Sequence, residues 1–382
     1  MPFYISQGKI PNKRHTALKD NKGNIYYEEL VSRQGFSSIF SNYYHLHRPT
    51  QIKEVKNLTK IELKHAGSKH RHRHIITSSI VNNGDVLNSR TPLFFNDDII
   101  ISVASVNSTM EYFYRNGIGD ELLYVQSGSG LFKSNLGIIE ILKGDYIIIP
   151  RGIIWKLIPD NNIKLLIVDS SGPIETPNRY RNNFGQLLEH SPFCERDIKI
   201  PQLEKPIDQV GEFIIKTKVS NGIQEYAYAS HPFDIVGWDG YYFPWCFNIN
   251  DFEPIVGSIH QPPPVHQTFQ GKGFVICSFV PRLFDFHPKS IPAPYPHSNV
   301  DSDEVIFYSK GDFMSRKGIQ SESITLHPMG LPHGPQPGKY KSSIGKKSTN
   351  ELAVMIDTFK PLCITDAAIE IDDKEYPFSW MD

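Results

Sequence analysis

The chain has 382 residues, enough for two ordinary domains, and a net charge of -1 that gives no electrostatic basis for a nucleic-acid partner. Its four cysteines, Cys194, Cys246, Cys277 and Cys363, lie far apart with no C-x-x-C pair, which excludes a zinc ribbon and a thioredoxin-type motif. No apolar run reaches membrane-span length, and the segment from Met1 to Gly8 lacks the basic start and apolar core of a signal peptide. A soluble cytoplasmic protein with reduced thiols and no membrane partner is therefore expected.

Up to about residue 90 the chain is basic and polar, with a strand-like piece at Ile25–Tyr27 and a helix-like piece at Ile61–Lys64. His65, His70, His72 and His74 stand here among Lys and Arg. They read as a solvated basic loop rather than a metal tract, because no carboxylate is interleaved.

From Leu93 onward short strands follow one another, each bounded by Gly, Asn, Asp or Pro. Ile99–Ala104, Glu121–Val125, Gly137–Leu142 and Asp145–Pro150 are examples. Residues 172–215 read as a Pro- and Asn-rich connector. A second β-rich block begins near 216, with strands predicted at Phe274–Val280, Glu304–Tyr308, Ser323–Leu326 and Leu352–Asp357. The 28 prolines and 27 glycines suit many strands joined by turns. The organisation predicted is 1–215 as one β unit with its extension and connector, and 216–382 as a second. Gly237–Gly240 is predicted to close a tight turn with Trp238 packed. His231 is predicted to be a satisfied structural histidine.

The segment Pro294–Glu304, with His327 and His333 downstream, concentrates imidazoles and carboxylates among strand-like runs. Two neutral imidazoles and one carboxylate suit a divalent iron that must keep positions open for a substrate and dioxygen. Asp303 and Glu304 compete for the carboxylate role.

Gly144–Trp155 is similar to the second motif of the cupin superfamily, but Ile153–Trp155 stand where metal-binding members carry His. This implies a first barrel with a degenerate metal site. Val236–Pro244, Pro294–His297 with Glu304, Gly311–Phe313, and Ser323 through Pro335 resemble the homogentisate 1,2-dioxygenase family, as do Gly8–His15 and Glu29–Phe36. The resemblance covers nearly the whole chain in order. It implies a mainly all-β fold of two cupin-like β-barrels (jelly rolls) with short helices and long loops. It implies an enzyme that opens homogentisate with O2 to maleylacetoacetate in tyrosine and phenylalanine catabolism, using Fe(2+), and working as a homo-oligomer (trimer or hexamer).

The resemblance further implies His297, Glu304 and His333 as metal ligands. The spacing between His297 and Glu304 departs slightly from the family's. His260 or His266, in the rigid proline-rich loop, would be the base, His260 being preferred. His327 would hydrogen-bond the substrate or bound oxygen. Arg316, where the family places Lys, would clamp the substrate's carboxylate bidentately. Tyr295 and His266 would line the pocket. Another diphenol, of gentisate or hydroxyanthranilate type, is the alternative substrate; a non-enzymatic ligand-binding bicupin is the more distant alternative.

Overall fold

The runs Asp120–Ser127, Asp145–Ile149 and Ile163–Ser170 are apolar almost without alternation, and such strands demand cover on both faces. The computed structural model, which describes residues 3–311, 313 and 315–381, supplies that cover. These strands lie at the centre of a nine-stranded sheet. On one side stands a seven-stranded sheet, from which Tyr114 and Lys218 reach Glu121 and Asp169. On the other side stands a six-stranded sheet, whose Ser309 and Ser278 meet the hydroxyls of Tyr124 and Tyr146. The all-β expectation holds. Among the described residues the α-helices are the short Lys339–Ser343 and Asp366–Glu370. No helix is long and apolar enough to cross a membrane.

The six-stranded sheet runs Gln267–Gly271, Phe274–Phe279, Leu352–Thr358, Asp303–Lys310, Ser323–His327 and Arg73–Ile76. Its last strand comes from the amino-terminal region. Conversely, Trp245–Asn248 pairs with Asp145–Ile149 in the central sheet. The predicted boundary at 215 falls inside the strand Val210–Val219.

Two local expectations are corrected. Ile61–Lys64 forms no helix; it follows directly on the strand Ile52–Lys60 as irregular chain. Gly237–Gly240 is not a turn but part of the strand Ile235–Gly240, paired with Ile5–Gly8. The glycine is needed for close approach: a Cβ on Gly237 would meet the Lys9 carbonyl at 2.2 Å. Trp238 is fully buried and donates to the Leu136 carbonyl at 3.1 Å, a structural role as expected. His231 is structural too. Its Nδ1 accepts from the Phe233 amide at 3.1 Å, and burial among Phe113, Phe213 and Phe233 pulls its pKa down to about 4.

His45 ends the strand Phe40–His45, which pairs with Ile235–Gly240. It is buried, with Nδ1 2.7 Å from Asp234 and Nε2 3.0 Å from Glu29. Burial works against its charge, but the hydrogen bonds to Asp234 and Glu29 win and raise its pKa to about 9. A raised histidine contributes stability that is complete below the unfolded value near 6.5 and is lost as pH rises through 9. The shift corresponds to about 3 kcal/mol. Denaturant unfolding followed from pH 6 to 10 should show this decline, and His45→Gln should flatten it; an equal slope in the variant rejects the assignment.

Candidate metal centre

Successive residues of a strand point to opposite faces, and this decides between the two neighbouring carboxylates. In Asp303–Lys310, Phe307 and Ser309 face the central sheet, packing on Tyr124. Glu304, Ile306 and Tyr308 face the other way, into a cavity. Asp303 shares the face of Phe307. Its two oxygens accept from the amides of Met329 at 2.8 Å and Leu362 at 2.7 Å, so it anchors loops. Glu304 is the carboxylate that faces the cavity.

The two histidines arrive by the same local device. Tyr295–Pro296–His297 and Leu331–Pro332–His333 are both Xaa-Pro-His. In each, the Nδ1–H donates to the carbonyl two residues earlier, at 3.1 Å. Proline fixes its own φ and holds the preceding residue extended, which places that carbonyl over the ring. With Nδ1 committed, Nε2 presents its lone pair toward Glu304. Reciprocal backbone hydrogen bonds of 2.8 Å join His297 and His333, so the two loops form one bridge.

His297, Glu304 and His333 each place one ligand atom within 4.8 Å of the others. His297 Nε2 stands 3.9 Å from Glu304 Oε2, and His333 Nε2 stands 3.5 Å from Oε1. Burial alone would raise the Glu304 pKa, but the three histidines hold it well below the usual carboxylate range. His333 Nε2 is buried with no hydrogen-bond partner. An orphaned imidazole nitrogen facing an ionised carboxylate and a second imidazole fits a divalent cation.

Behind the triad lies a supporting shell. His327 sits directly across the ladder from Glu304 and is fully buried. Its Nδ1 donates to Glu304 at 2.7 Å and its Nε2 accepts from the Tyr376 hydroxyl at 3.1 Å. Burial pulls its pKa to about 3, so the ring is neutral. Both nitrogens are thus occupied by protein, and the ring is outside the cavity lining. His327, expected to hydrogen-bond the substrate or bound oxygen, here holds Glu304 from behind. The reading of His72 and His74 as members of a solvated loop also fails. His74 is buried against Ser323, and His72 packs on His327, His333 and Trp380 while donating to the Pro332 carbonyl at 3.1 Å. The cause is the strand Arg73–Ile76, which completes the site's sheet at Ser323–His327 and carries the histidines with it. His65 and His70 remain exposed.

The cavity in front of the triad measures about 490 Å³. His260, His266, Tyr295 and Arg316 all line it. His260 is exposed at the mouth, with Nδ1 3.8 Å from Asp285 and its ring 5.3 Å from that of Tyr295. His266 is buried, its Nδ1 without a partner, and burial drops its pKa to about 3. Arg316 is buried and donates to the Gly334 carbonyl at 2.5 Å, while its Nε has no partner. No carboxylate of the described residues pairs with it within 4 Å. Asp312, in the Gly311–Phe313 motif, lies outside the described residues. Sequence reasoning missed Asp357. It lies across the ladder from Glu304, lines the cavity, and has a buried oxygen without a partner. Burial, then the nearby Glu304 charge, pushes its pKa up to about 8. The alternation of Ala353, Met355 and Asp357 on one strand face was the signal that could have found it.

The family described as homogentisate 1,2-dioxygenase N-terminal matches residues 79–249. The chain is 45% identical to the "Putative dioxygenase" of Saccharolobus solfataricus, over 100% of this chain and 99% of that protein. It is 25% identical to the homogentisate 1,2-dioxygenase of Nitrobacter hamburgensis, the match taking in 71% of this chain and 62% of that protein's length. Among solved structures, a cupin 2 conserved barrel domain protein from Leptotrichia buccalis superimposes over 80% of the chain with 12% identity. Its TM-score of 0.36 is too low to carry any argument about residues. By its full-length relative and its amino-terminal match, the chain belongs to the family of dioxygenases that includes, at some distance, the homogentisate 1,2-dioxygenases.

Proposed function

We propose that the protein is an iron(II)-dependent ring-cleaving dioxygenase acting on homogentisate or a near relative, with His297, Glu304 and His333 as the metal ligands. The observation that carries this reading is the His-Glu-His cluster, with the orphaned His333 Nε2, opening on a cavity that also contains the buried Arg316. Bound iron(II) would supply the Lewis acidity that lowers the phenol pKa and would mediate electron flow between the ring and dioxygen.

The chain's own groups then divide the remaining work. Arg316 receives the acetate carboxylate of the substrate, which supplies the anionic partner that its guanidinium lacks among the described residues. His260 takes the phenolic proton at Nε2 while Nδ1 faces Asp285. His327 keeps Glu304 turned to the metal position, and His72 props the Pro332–His333 loop from behind. Tyr295 and the apolar Ile306 and Met355 exclude water from the ring's position. Homogentisate and O2 combine to maleylacetoacetate with both oxygen atoms retained in the product.

Oxygen uptake by anaerobically iron-loaded protein tests this. One O2 should be consumed per homogentisate, with the ring-opened product absorbing in the near ultraviolet. Arg316→Met should raise KM by about 10–100-fold, the worth of a charged hydrogen bond. Uptake with gentisate or 3-hydroxyanthranilate and none with homogentisate would move the assignment to that diphenol. No uptake with any of them rejects the enzymatic reading.

A further inference from the structure

The metal triad occupies only one end of the cavity. Across the six-stranded sheet the side chains stand in transverse rows. Asp357 and Glu304 share one row, Met355 and Ile306 the next, and Ala353 and Tyr308 a third that includes Phe279. From Glu304 to Tyr308 is four residues, about 13 Å along a strand at ~3.3 Å per residue. The cavity runs the whole way, since Glu304, Met355, Ile306, Tyr308 and Phe279 all line it.

The far row carries its own polar groups. The Arg282 guanidinium lies 5.9 Å from the Phe279 ring centre, and the His266 ring lies 4.9 Å from the same ring. Both line the cavity. Arg282 Nη1 donates to the Val280 carbonyl at 3.1 Å, and no carboxylate of the described residues pairs with Arg282 within 4 Å. Glu351 and Asp285, which also line the cavity, are the acidic groups that act on it. His266 Nδ1 is buried and unpartnered. A part-buried cation and a spare imidazole nitrogen facing the same end of the cavity make a receptor for an anion.

We infer that Arg282, His266 and Phe279 form a distal subsite for an acidic group, so that the cavity also accepts a hydroquinone that bears a carboxylate at the end of an extended chain or second ring. This rests on the reading of the triad as the place where the hydroquinone ring binds. The middle of the channel, walled by Ile306 and Met355, suits the methylenes of such an arm. A cavity of about 490 Å³ is in the range that holds drug-sized ligands. Homogentisate, one ring with an acetate arm, leaves much of it unfilled.

Calorimetric binding to the anaerobic, metal-loaded protein tests the subsite without requiring turnover. The probes are 2,5-dihydroxyphenyl acids with one, three or five methylenes between ring and carboxylate. The expected result is at least tenfold tighter binding of the best long acid than of the one-methylene acid. Arg282→Gln should bring that ratio to near one, and Arg282→Lys should keep part of it. His266→Phe provides a second variant should Arg282→Gln fold poorly, and should also reduce the ratio. A flat chain-length series in the wild type, or a ratio unchanged in both Arg282→Gln and His266→Phe, overturns the subsite. Failure of the dioxygenase reading is distinguishable. It appears as absent oxygen uptake with every probe, and a length preference that persists then still supports the subsite.

Discussion

Replacing His333 by Ala should leave a folded protein that purifies anaerobically without iron and has lost ring cleavage by about 1,000-fold or more. Loss of a group outside the direct ligands commonly costs about 10–100-fold in metal affinity or activity, and His333 would be a direct ligand. The fold should survive, because the bridge between the two histidine loops runs through backbone atoms that Ala retains. Glu304→Gln should behave similarly, since an uncharged amide would face three imidazoles that now share an ionised carboxylate. His327→Gln is the informative contrast. If His327 only positions Glu304, iron content should fall by about 10–100-fold in affinity while KM changes little. A raised KM with full iron content would restore His327 to the substrate side. Elemental analysis beside oxygen uptake reads both. Stoichiometric iron in His333→Ala would end the triad assignment.

The legible parts of this site are the ones that lie on short local patterns. Pro294–Glu304 and Leu331–His333 show their chemistry in a few residues, and the alternation rule, once a strand is assigned to Asp303–Lys310, separates Glu304 from Asp303. What stayed hidden depends on partners distant in sequence. His72 looked solvated because its neighbours in the chain are basic. Its neighbours in space are His333 and Trp380, more than 250 residues away, brought there by the pairing of Arg73–Ile76 with Ser323–His327. Asp357 gave no signal alone, because its meaning comes from the cross-strand register with Glu304. His327 was recognised as belonging to the site, but only the identities of its two hydrogen-bond partners show that it faces away from the cavity. The all-β class was readable from strand spacing. The three-layer stacking was implied by the unbroken apolar runs of the central sheet, yet which sheets supplied the cover was not.

The second large effect is expected in the other half of the molecule, where Arg90→Met should cost about 3–5 kcal/mol of stability. Arg90 lies between the central sheet and the seven-stranded sheet. Its Nη1 stands 2.8 Å from Glu121 and 3.3 Å from Asp169, and Lys218 reaches Asp169 at 2.6 Å. Burial pushes the Glu121 pKa up, whereas Lys218 and Arg90 overcome burial and pull Asp169 down. The network is imperfect: Arg90 Nε and Nη2 and one Glu121 oxygen are buried without partners. Such a network adds little net stability over apolar packing, yet removing one charge strands the others in a medium that cannot solvate them. That asymmetry makes a sharp test. Arg90→Met alone should shift the denaturant midpoint strongly downward. Adding Glu121→Met should recover at least half of the loss, because the orphaned carboxylate is gone and Lys218 still pairs with Asp169. If the double variant is less stable than the single one, the side chains act through packing rather than charge. The network would then be a filler of the barrel interior and not its electrostatic lock.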